Sequence, residues 1–99
     1  MADSLKMSYE DMQAEITKLT QYANDFEETT TSMTTSVGTL CDGWTSASTE
    51  TYREDYTALA TNFSQTLEVV RSLIQSTSDY IADMQAVDQS YSSSKVTVG

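Results

Sequence analysis

The sequence contains no proline and no histidine, and it has one cysteine and three glycines in 99 residues. Without histidine the chain lacks the commonest general base, the commonest metal ligand and the usual pH-responsive side chain. A single cysteine, Cys41, excludes an intrachain disulfide and a cysteine-cluster metal site. Proline, the strongest helix breaker, is missing, and the glycines stand only near the middle and at the end, at Gly38, Gly43 and Gly99.

Basic residues are scarce as well, because five lysines and arginines stand against 15 acids for a formal net charge of −10. This balance argues against nucleic acid and anionic membranes as partners, since both carry charge of the same sign. No apolar run is long enough to span a bilayer, and residues 1–6 lack the apolar region of a signal peptide. We therefore expect a soluble protein made in the cytoplasm, with no membrane insertion and no cleaved signal peptide.

Two long segments have the apolar periodicity of amphipathic helices, and the first covers about residues 8–41. Its apolar residues are spaced alternately by three and four, which is the pattern of a coiled-coil seam. Ser8 is expected to cap this helix, with Asp11 completing a variant of the capping box. Counted as heptads, the a positions are Tyr9, Ile16, Ala23, Thr30 and Val37, and the d positions are Met12, Leu19, Phe26, Met33 and Leu40.

The second segment, about residues 47–91, has a wider apolar stripe than the first. Its a positions are Tyr56, Phe63, Val70, Thr77, Met84 and Tyr91, its d positions are Leu59, Thr66, Leu73, Tyr80 and Val87, and its e positions are Ala60, Leu67, Ile74 and Ile81. A stripe of this width can contact two neighbours. We expect the e positions to exceed what one partner helix can cover, and so to meet a second chain, which would bury Leu73 and Ile74 in the assembly.

A break at residues 42–46 separates the two segments, and it contains the only tryptophan, Trp44. Gly43 is expected to take a positive φ at the end of the first helix, and Thr45 or Ser46 to cap the second. The pattern predicts a single all-α domain over residues 1–99, a hairpin of two long antiparallel helices that forms a four-helix bundle as a dimer, with a flexible tail at 92–99. The expected hairpin and dimer interface comprises Leu19, Phe26, Phe63, Leu67, Val70, Leu73, Ile74 and Ile81.

No group of residues predicts catalysis, so we expect a protein that is not an enzyme and needs no cofactor or metal. The carboxylates are scattered over outer faces, no histidine is present to activate a hydroxyl, and no glycine-rich phosphate loop occurs. Trp44 has two interpretations that are compatible: a plug for the end of the helix pair, or a recognition residue presented beside the turn. Cys41 is interpreted as a small semi-buried hydrophobic residue, with an intermolecular disulfide as the alternative.

The central stretch, residues 40–56, reads LCDGWTSASTETYREDY, and it resembles the WXG-motif family of small type VII secretion substrates, the early-secreted-antigen-like proteins. Trp44 matches the tryptophan of the motif, and Ala47, Tyr52 and Tyr56 are similar to the start of the family's second helix. The chain departs from the motif at Ser46, where the family has glycine.

The resemblance implies export from a bacterial cytoplasm by an ATPase-driven type VII (ESX-like) apparatus, without a cleaved signal peptide. It also implies a virulence-associated, secreted protein that forms a homodimer, or a heterodimer with a similar small helical protein. The family's Tyr-x-x-x-Asp/Glu export signal is not met, because Met84 follows Tyr80 at that spacing and Lys95 follows Tyr91. Met84-x-x-x-Asp88-x-x-Tyr91 resembles part of a looser C-terminal pattern of the family. The candidate export signal comprises Tyr80, Asp83, Met84, Asp88 and Tyr91.

The alternative function is a cytosolic adaptor or chaperone, which would pair with a helical segment of a larger secreted effector. For a homodimer, we expect the two turns to lie at opposite ends of the bundle, because Asp42 and Glu50 would repel their copies if the turns lay together. Cys41 would then lie far from Cys41 of the second copy.

Overall fold

A computed structural model describes residues 7–98, with side chains described as far as Tyr91. It contains two α-helices, α1 (Tyr9–Asp42) and α2 (Thr49–Val98), and no strand between residues 7 and 98. The prediction of an all-α helical hairpin is therefore confirmed. Over those same described residues, neither helix has a stretch that is long and apolar enough to cross a membrane.

Helix α1 begins as the sequence predicts. The hydroxyl oxygen of Ser8 accepts the Asp11 N–H at 3.0 Å, and the Ser8 carbonyl accepts the Met12 N–H at 2.9 Å. Two acids, Glu10 and Asp11, occupy the first turn, where the positive end of the helix dipole favours negative charge. These contacts satisfy amide groups that a helix start otherwise leaves without partners.

The threonine-rich part of α1 stays helical despite its weak propensity. The hydroxyls of Thr34, Thr35 and Thr39 each donate to the carbonyl four residues earlier, at 3.0, 3.3 and 3.1 Å. Because the hydroxyls bond within the helix, they do not draw the backbone into a turn. The heptad phase that crosses this stretch predicted a continuous helix, which the structure confirms.

Helix α2 differs from the expectation at both ends. It begins at Thr49 instead of about residue 47, and it continues to Val98, past the predicted end at residue 91. No proline or glycine stands between Thr49 and Val98, so nothing in the sequence breaks the helix. The segment that was expected to be a flexible tail is therefore helical as far as Val98.

The chain divides into two compact units, each built from one stretch of α1 and one of α2. The unit of residues 21–71 contains an edge-to-face contact of Phe26 with Phe63, whose ring centroids are 5.9 Å apart at 85°. In the same unit Thr34 and Tyr56 share a hydroxyl hydrogen bond of 2.8 Å. These pairs join later positions of α1 to earlier positions of α2, as antiparallel packing requires.

The other unit combines the stretch up to Thr20 with the stretch from Ser72. There the phenol of Tyr9 donates a hydrogen bond to a carboxylate oxygen of Asp88. Ile81 is the buried apolar side chain of this unit among the described residues. The unit thus holds the start of α1 against the later part of α2.

The e positions of α2 are partly covered within one chain, and their contact with a second chain stays a prediction. Ile81 is 9% exposed, and Ala60, Leu67 and Ile74 are half-buried, within a single chain. The d positions are the uncovered ones, since Leu73 is 66% exposed. Burying the e row leaves no side-chain hydroxyl without water, whereas the d row contains the hydroxyls of Thr66 and Tyr80.

Candidate functional site

The turn between the helices is formed without any left-handed backbone conformation. No described residue has a positive φ, so the expectation of a positive φ at Gly43 is wrong. The chain leaves α1 through two hydrogen bonds, from Gly43 N–H to the Thr39 carbonyl and from Trp44 N–H to the Cys41 carbonyl, both 3.2 Å. A Cβ atom at Gly43 would meet only ordinary contacts, at 3.8 Å. Glycine is therefore not sterically required at position 43.

The same backbone geometry explains why a serine can stand at position 46. Since φ is not positive there, a side chain costs no backbone strain. The Ser46 hydroxyl lies 3.0 Å from the Ser48 hydroxyl, and both residues are exposed. The departure from the WXG motif at this position leaves the turn intact.

Thr49 is the residue of the turn that sequence reasoning missed. Its hydroxyl donates to the Trp44 carbonyl at 2.6 Å and accepts the Ser46 N–H at 3.2 Å. Neither Thr45 nor Ser46 caps α2 with its side chain, so the predicted cap is corrected: the hydroxyl that contacts the turn comes from inside the helix. The spacing Ser46-x-x-Thr49 could have indicated this, because a capping box returns a side chain from the fourth residue to the first amide.

Trp44 is half-buried, and its ring packs against Tyr52 with centroids 5.4 Å apart and planes at 53°. Its indole N–H donates to no described residue, so a hydrogen-bond donor stands at the edge of the turn. Arg53 lies nearby and pairs with Asp42 at 3.3 Å and with Glu50 at 3.7 Å. The Trp44 side chain is therefore partly covered, as a plug for the end of the helix pair requires, and partly exposed, as a recognition residue requires.

Cys41 is 3% exposed, so it is a small buried residue and more fully covered than the semi-buried position that the sequence predicted. A thiol covered in this way cannot reach a second chain unless the end of α1 opens. Burial of the thiol argues against the alternative of an intermolecular disulfide at Cys41.

An apolar groove of about 420 Å³ lies beside the turn, within the unit of residues 21–71. Its apolar lining residues are Met33, Val37 and Leu40 of α1 and Tyr52 of α2, and three hydroxyl residues of α1 complete the lining. Residues 29–41 carry no charge in a chain whose net charge is −10. This groove is suited to an apolar side chain of another molecule and not to a charged ligand.

The d positions of both helices are exposed to solvent, except for the half-buried Met12 at the start of α1. In α1 the exposed fractions are 46% for Leu19, 37% for Phe26 and 52% for Leu40; in α2 Tyr80 reaches 66% and Val87 57%. We call these rows the d stripes of α1 and of α2. Rows of large apolar side chains left uncovered along a helix are unusual for a monomer, and they indicate a surface for a partner.

The residues predicted for the hairpin and dimer interface fall into two groups. Phe26 and Phe63 contact each other, Leu67 and Ile74 are half-buried, and Ile81 is buried. The remaining three are exposed, with fractions of 46% for Leu19, 37% for Val70 and 66% for Leu73.

The candidate export residues all lie on helix α2 and not in a tail. Tyr80 and Tyr91 are exposed by 66% and 68%, and Met84 by 37%. Asp83 is exposed as well, whereas Asp88 accepts the hydrogen bond from Tyr9. That hydrogen bond, together with partial burial and the negative charge of Asp88, raises the pKa of the Tyr9 phenol above its ordinary value.

Within the described part of the chain, no group of histidine, cysteine, aspartate or glutamate side chains is arranged to hold a metal ion. Comparison of the chain with protein-family models, with curated proteins and with solved structures gives no match.

Proposed function

We propose that this protein is a non-enzymatic interaction protein, a helical hairpin that dimerises through its d stripes and is exported by a type VII (ESX-like) secretion system. The open d stripes carry the proposal. They are rows of apolar side chains that packing within one chain leaves uncovered. Export is proposed from the Trp44 turn and its resemblance to the WXG motif.

The length of the exposed rows supports a second copy as the occupant of the d stripes. Leu19 of α1 is 46% exposed, and Leu59 and Leu73 of α2 are 44% and 66% exposed. Apolar rows of this length need a long apolar surface opposite them, and a second copy of the chain supplies one.

The side chains along the d stripes support the same conclusion. They are uncharged, so pairing them between two acidic copies opposes no like charges at the centre of the interface. The acids that could repel stand elsewhere: Glu27 and Asp42 pair with Arg71 and Arg53 within one chain, at 3.1 and 3.3 Å. A four-helix bundle formed from two hairpins satisfies these constraints.

Recognition by the secretion ATPase is proposed to involve two places. The first is the turn, where the half-buried Trp44 offers an apolar edge and an indole N–H. The second is the later part of α2, where Tyr80, Met84 and Tyr91 are exposed. No cleaved signal peptide is part of this proposal, since the folded hairpin itself carries both features.

Two variants expressed in the native host test the export. Trp44→Ala removes the aromatic ring from the turn, and a chain ending after Asp88 removes the end of α2 with Tyr91 but keeps the carboxylate that Tyr9 contacts. We expect each to reduce the exported fraction at least tenfold while the intracellular amount stays within about twofold, because recognition residues, not folding, are lost. Tyr22→Phe, at an exposed residue of α1 with a 64% exposed side chain, is the matched control and should be exported normally.

Normal export of both variants would contradict the proposal. Copurification with a larger effector protein in place of a homodimer would favour the alternative, a cytosolic adaptor that pairs with a helical segment of that effector.

A further inference from the structure

Thr49 is the buried polar side chain of the described residues, with 7% of its surface exposed. The other hydroxyl residues of the turn, Thr45, Ser46 and Ser48, are all exposed. A hydroxyl is costly to bury without hydrogen bonds, so its place in the structure depends on what it bonds to. Its two backbone partners are the Trp44 carbonyl and the Ser46 N–H, which flank Thr45, and the Ser46 hydroxyl lies 3.4 Å away.

The Thr49 hydroxyl joins the two ends of a short backbone segment. It donates to the carbonyl of Trp44 and accepts the N–H of Ser46. In addition, the Thr49 N–H donates to the Ser46 carbonyl at 3.2 Å. The peptide groups on both sides of Thr45 are therefore tied to the first residue of α2.

The opposite side of the tryptophan is tied to α1, because its N–H donates to the Cys41 carbonyl at 3.2 Å. The ring itself rests on Tyr52, which lies one turn after Thr49 on α2. The Thr49 hydroxyl therefore bonds the backbone from which the indole projects, and Tyr52 of the same helix contacts the ring. Other hydroxyls of the turn do not reach the Trp44 carbonyl.

We infer that Thr49 is the positioning residue for Trp44, holding the indole in one orientation at the turn through its hydroxyl. The inference deepens the proposed function and rests on it in one respect, that Trp44 is the residue a partner recognises. Thr49 itself would not touch the partner, because its side chain is covered. A glycine at position 46 is then unnecessary, since Thr49 holds the turn from inside α2.

The single tryptophan makes the inference measurable, because the intrinsic fluorescence of the protein excited at the indole reports Trp44 alone. Thr49→Val keeps the shape of the side chain and removes the hydroxyl. We expect acrylamide quenching of Trp44 to increase about twofold and amide exchange at Ser46 to accelerate about fivefold, since one hydrogen bond is lost at each place. Thr49→Ser restores the hydroxyl and should return both quantities close to those of the wild type.

Thr45→Val is the matched control. It makes the same substitution beside the tryptophan, at an exposed residue whose hydroxyl bonds to nothing in the described structure. Quenching and exchange should stay as in the wild type. Helical circular dichroism of every variant shows whether the hairpin is folded.

Unchanged quenching and exchange in a folded Thr49→Val would overturn the inference. If that variant does not fold, the exchange rate of the Ser46 N–H is measured in the wild-type protein. A rate as fast as in an unstructured peptide overturns the inference, and clear protection of this amide supports it. Export separates the inference from the proposed function. If Trp44 becomes mobile in Thr49→Val and this variant is exported normally, recognition at Trp44 is contradicted. If Trp44 stays immobile in Thr49→Val and export is lost only in Trp44→Ala, positioning by Thr49 is contradicted.

Discussion

Leu73 and Ile74 are neighbours in the sequence, but the fold gives them opposite environments. Leu73 is 66% exposed on the d stripe of α2, whereas Ile74 is half-buried against α1. On a helix, adjacent residues are 100° apart, so two consecutive apolar side chains cannot both face the same neighbour. Ile74 packs within the hairpin, and the Leu73 side chain is exposed and available to a partner.

This difference predicts opposite results for the same substitution. Leu73→Asp should leave the hairpin helical and weaken the dimer about 100-fold, because an unpaired charge at an interface costs roughly 3 kcal/mol. Ile74→Asp should instead lower the free energy of unfolding by about 2–4 kcal/mol, since the charge falls between the helices. Sedimentation equilibrium measures the first quantity, and urea unfolding followed by circular dichroism measures the second.

Ser72→Asp is the control, since it adds the same charge at an exposed residue next to Leu73. It should change neither quantity appreciably. A Leu73→Asp variant that stays dimeric, or an Ile74→Asp variant as stable as the wild type, would mean that the d and e stripes have been assigned the wrong way round.

At the scale of the helices, the start of α1 is joined to the later part of α2 by the hydrogen bond from Tyr9 to Asp88. The carboxylate favours the protonated phenol, first through this hydrogen bond, and raises the pKa of Tyr9 above its ordinary value of 10.0. A group whose pKa is raised on folding stabilises the folded form below its unfolded pKa, and this contribution is lost as pH rises through the folded pKa. The contact is therefore stable at neutral pH.

The pairing of these helix segments should loosen above about pH 10, where an unfolded tyrosine ionises. Amide exchange of residues near Tyr9 and Asp88, compared at neutral pH and above pH 10 after correction for the intrinsic rate, measures it. Tyr9→Phe should show lower protection at neutral pH and lose the additional change above pH 10. Tyr22→Phe, at an exposed residue of α1, is the control and should behave as the wild type does. A pH response of Tyr9→Phe identical to that of the wild type would contradict the role of this hydrogen bond.

At the scale of the whole molecule, charge governs how two copies can meet. The chain carries a formal net charge of −10, and the neighbourhood of the turn is acidic, with only Arg53 opposing Asp42, Glu50, Glu54 and Asp55. Two turns placed side by side would bring these acids within about one Debye length, roughly 8 Å at physiological salt. We therefore propose that the turns of the dimer lie at opposite ends.

The arrangement can be tested with introduced cysteines in a Cys41→Ala background, because the native thiol is buried. Ala47→Cys places an exposed thiol at the turn, and Thr66→Cys places one near the middle of the d stripe of α2. With turns at opposite ends, a disulfide between copies should form at least tenfold faster at Thr66→Cys, since only residues near the twofold axis approach their own copies. Rapid and complete crosslinking of Ala47→Cys would show that the turns lie together.

The sequence by itself determined that the chain is two long helices joined by a turn at Trp44. Heptad spacing, the Ser8 cap and the absence of proline are local properties, and each acts within a few residues along the chain. They predicted α1 closely and carried it through the threonine-rich stretch. Proline and glycine are also absent between Thr49 and Val98, and this absence would have predicted that α2 continues to Val98.

Only the tertiary structure decided which apolar stripe of α2 is covered and what holds the turn. Each of the three rows a, d and e of α2 is apolar enough to pack against α1. Which row is buried depends on the rotation of α2 about its axis relative to α1. The ion pairs of Arg53 and Arg71 with α1 contribute to this rotation. Rotation about a helix axis is a relation between elements, so periodicity within one element cannot specify it. Likewise, the hydroxyl of Thr49 meets the Trp44 carbonyl only after the turn has formed.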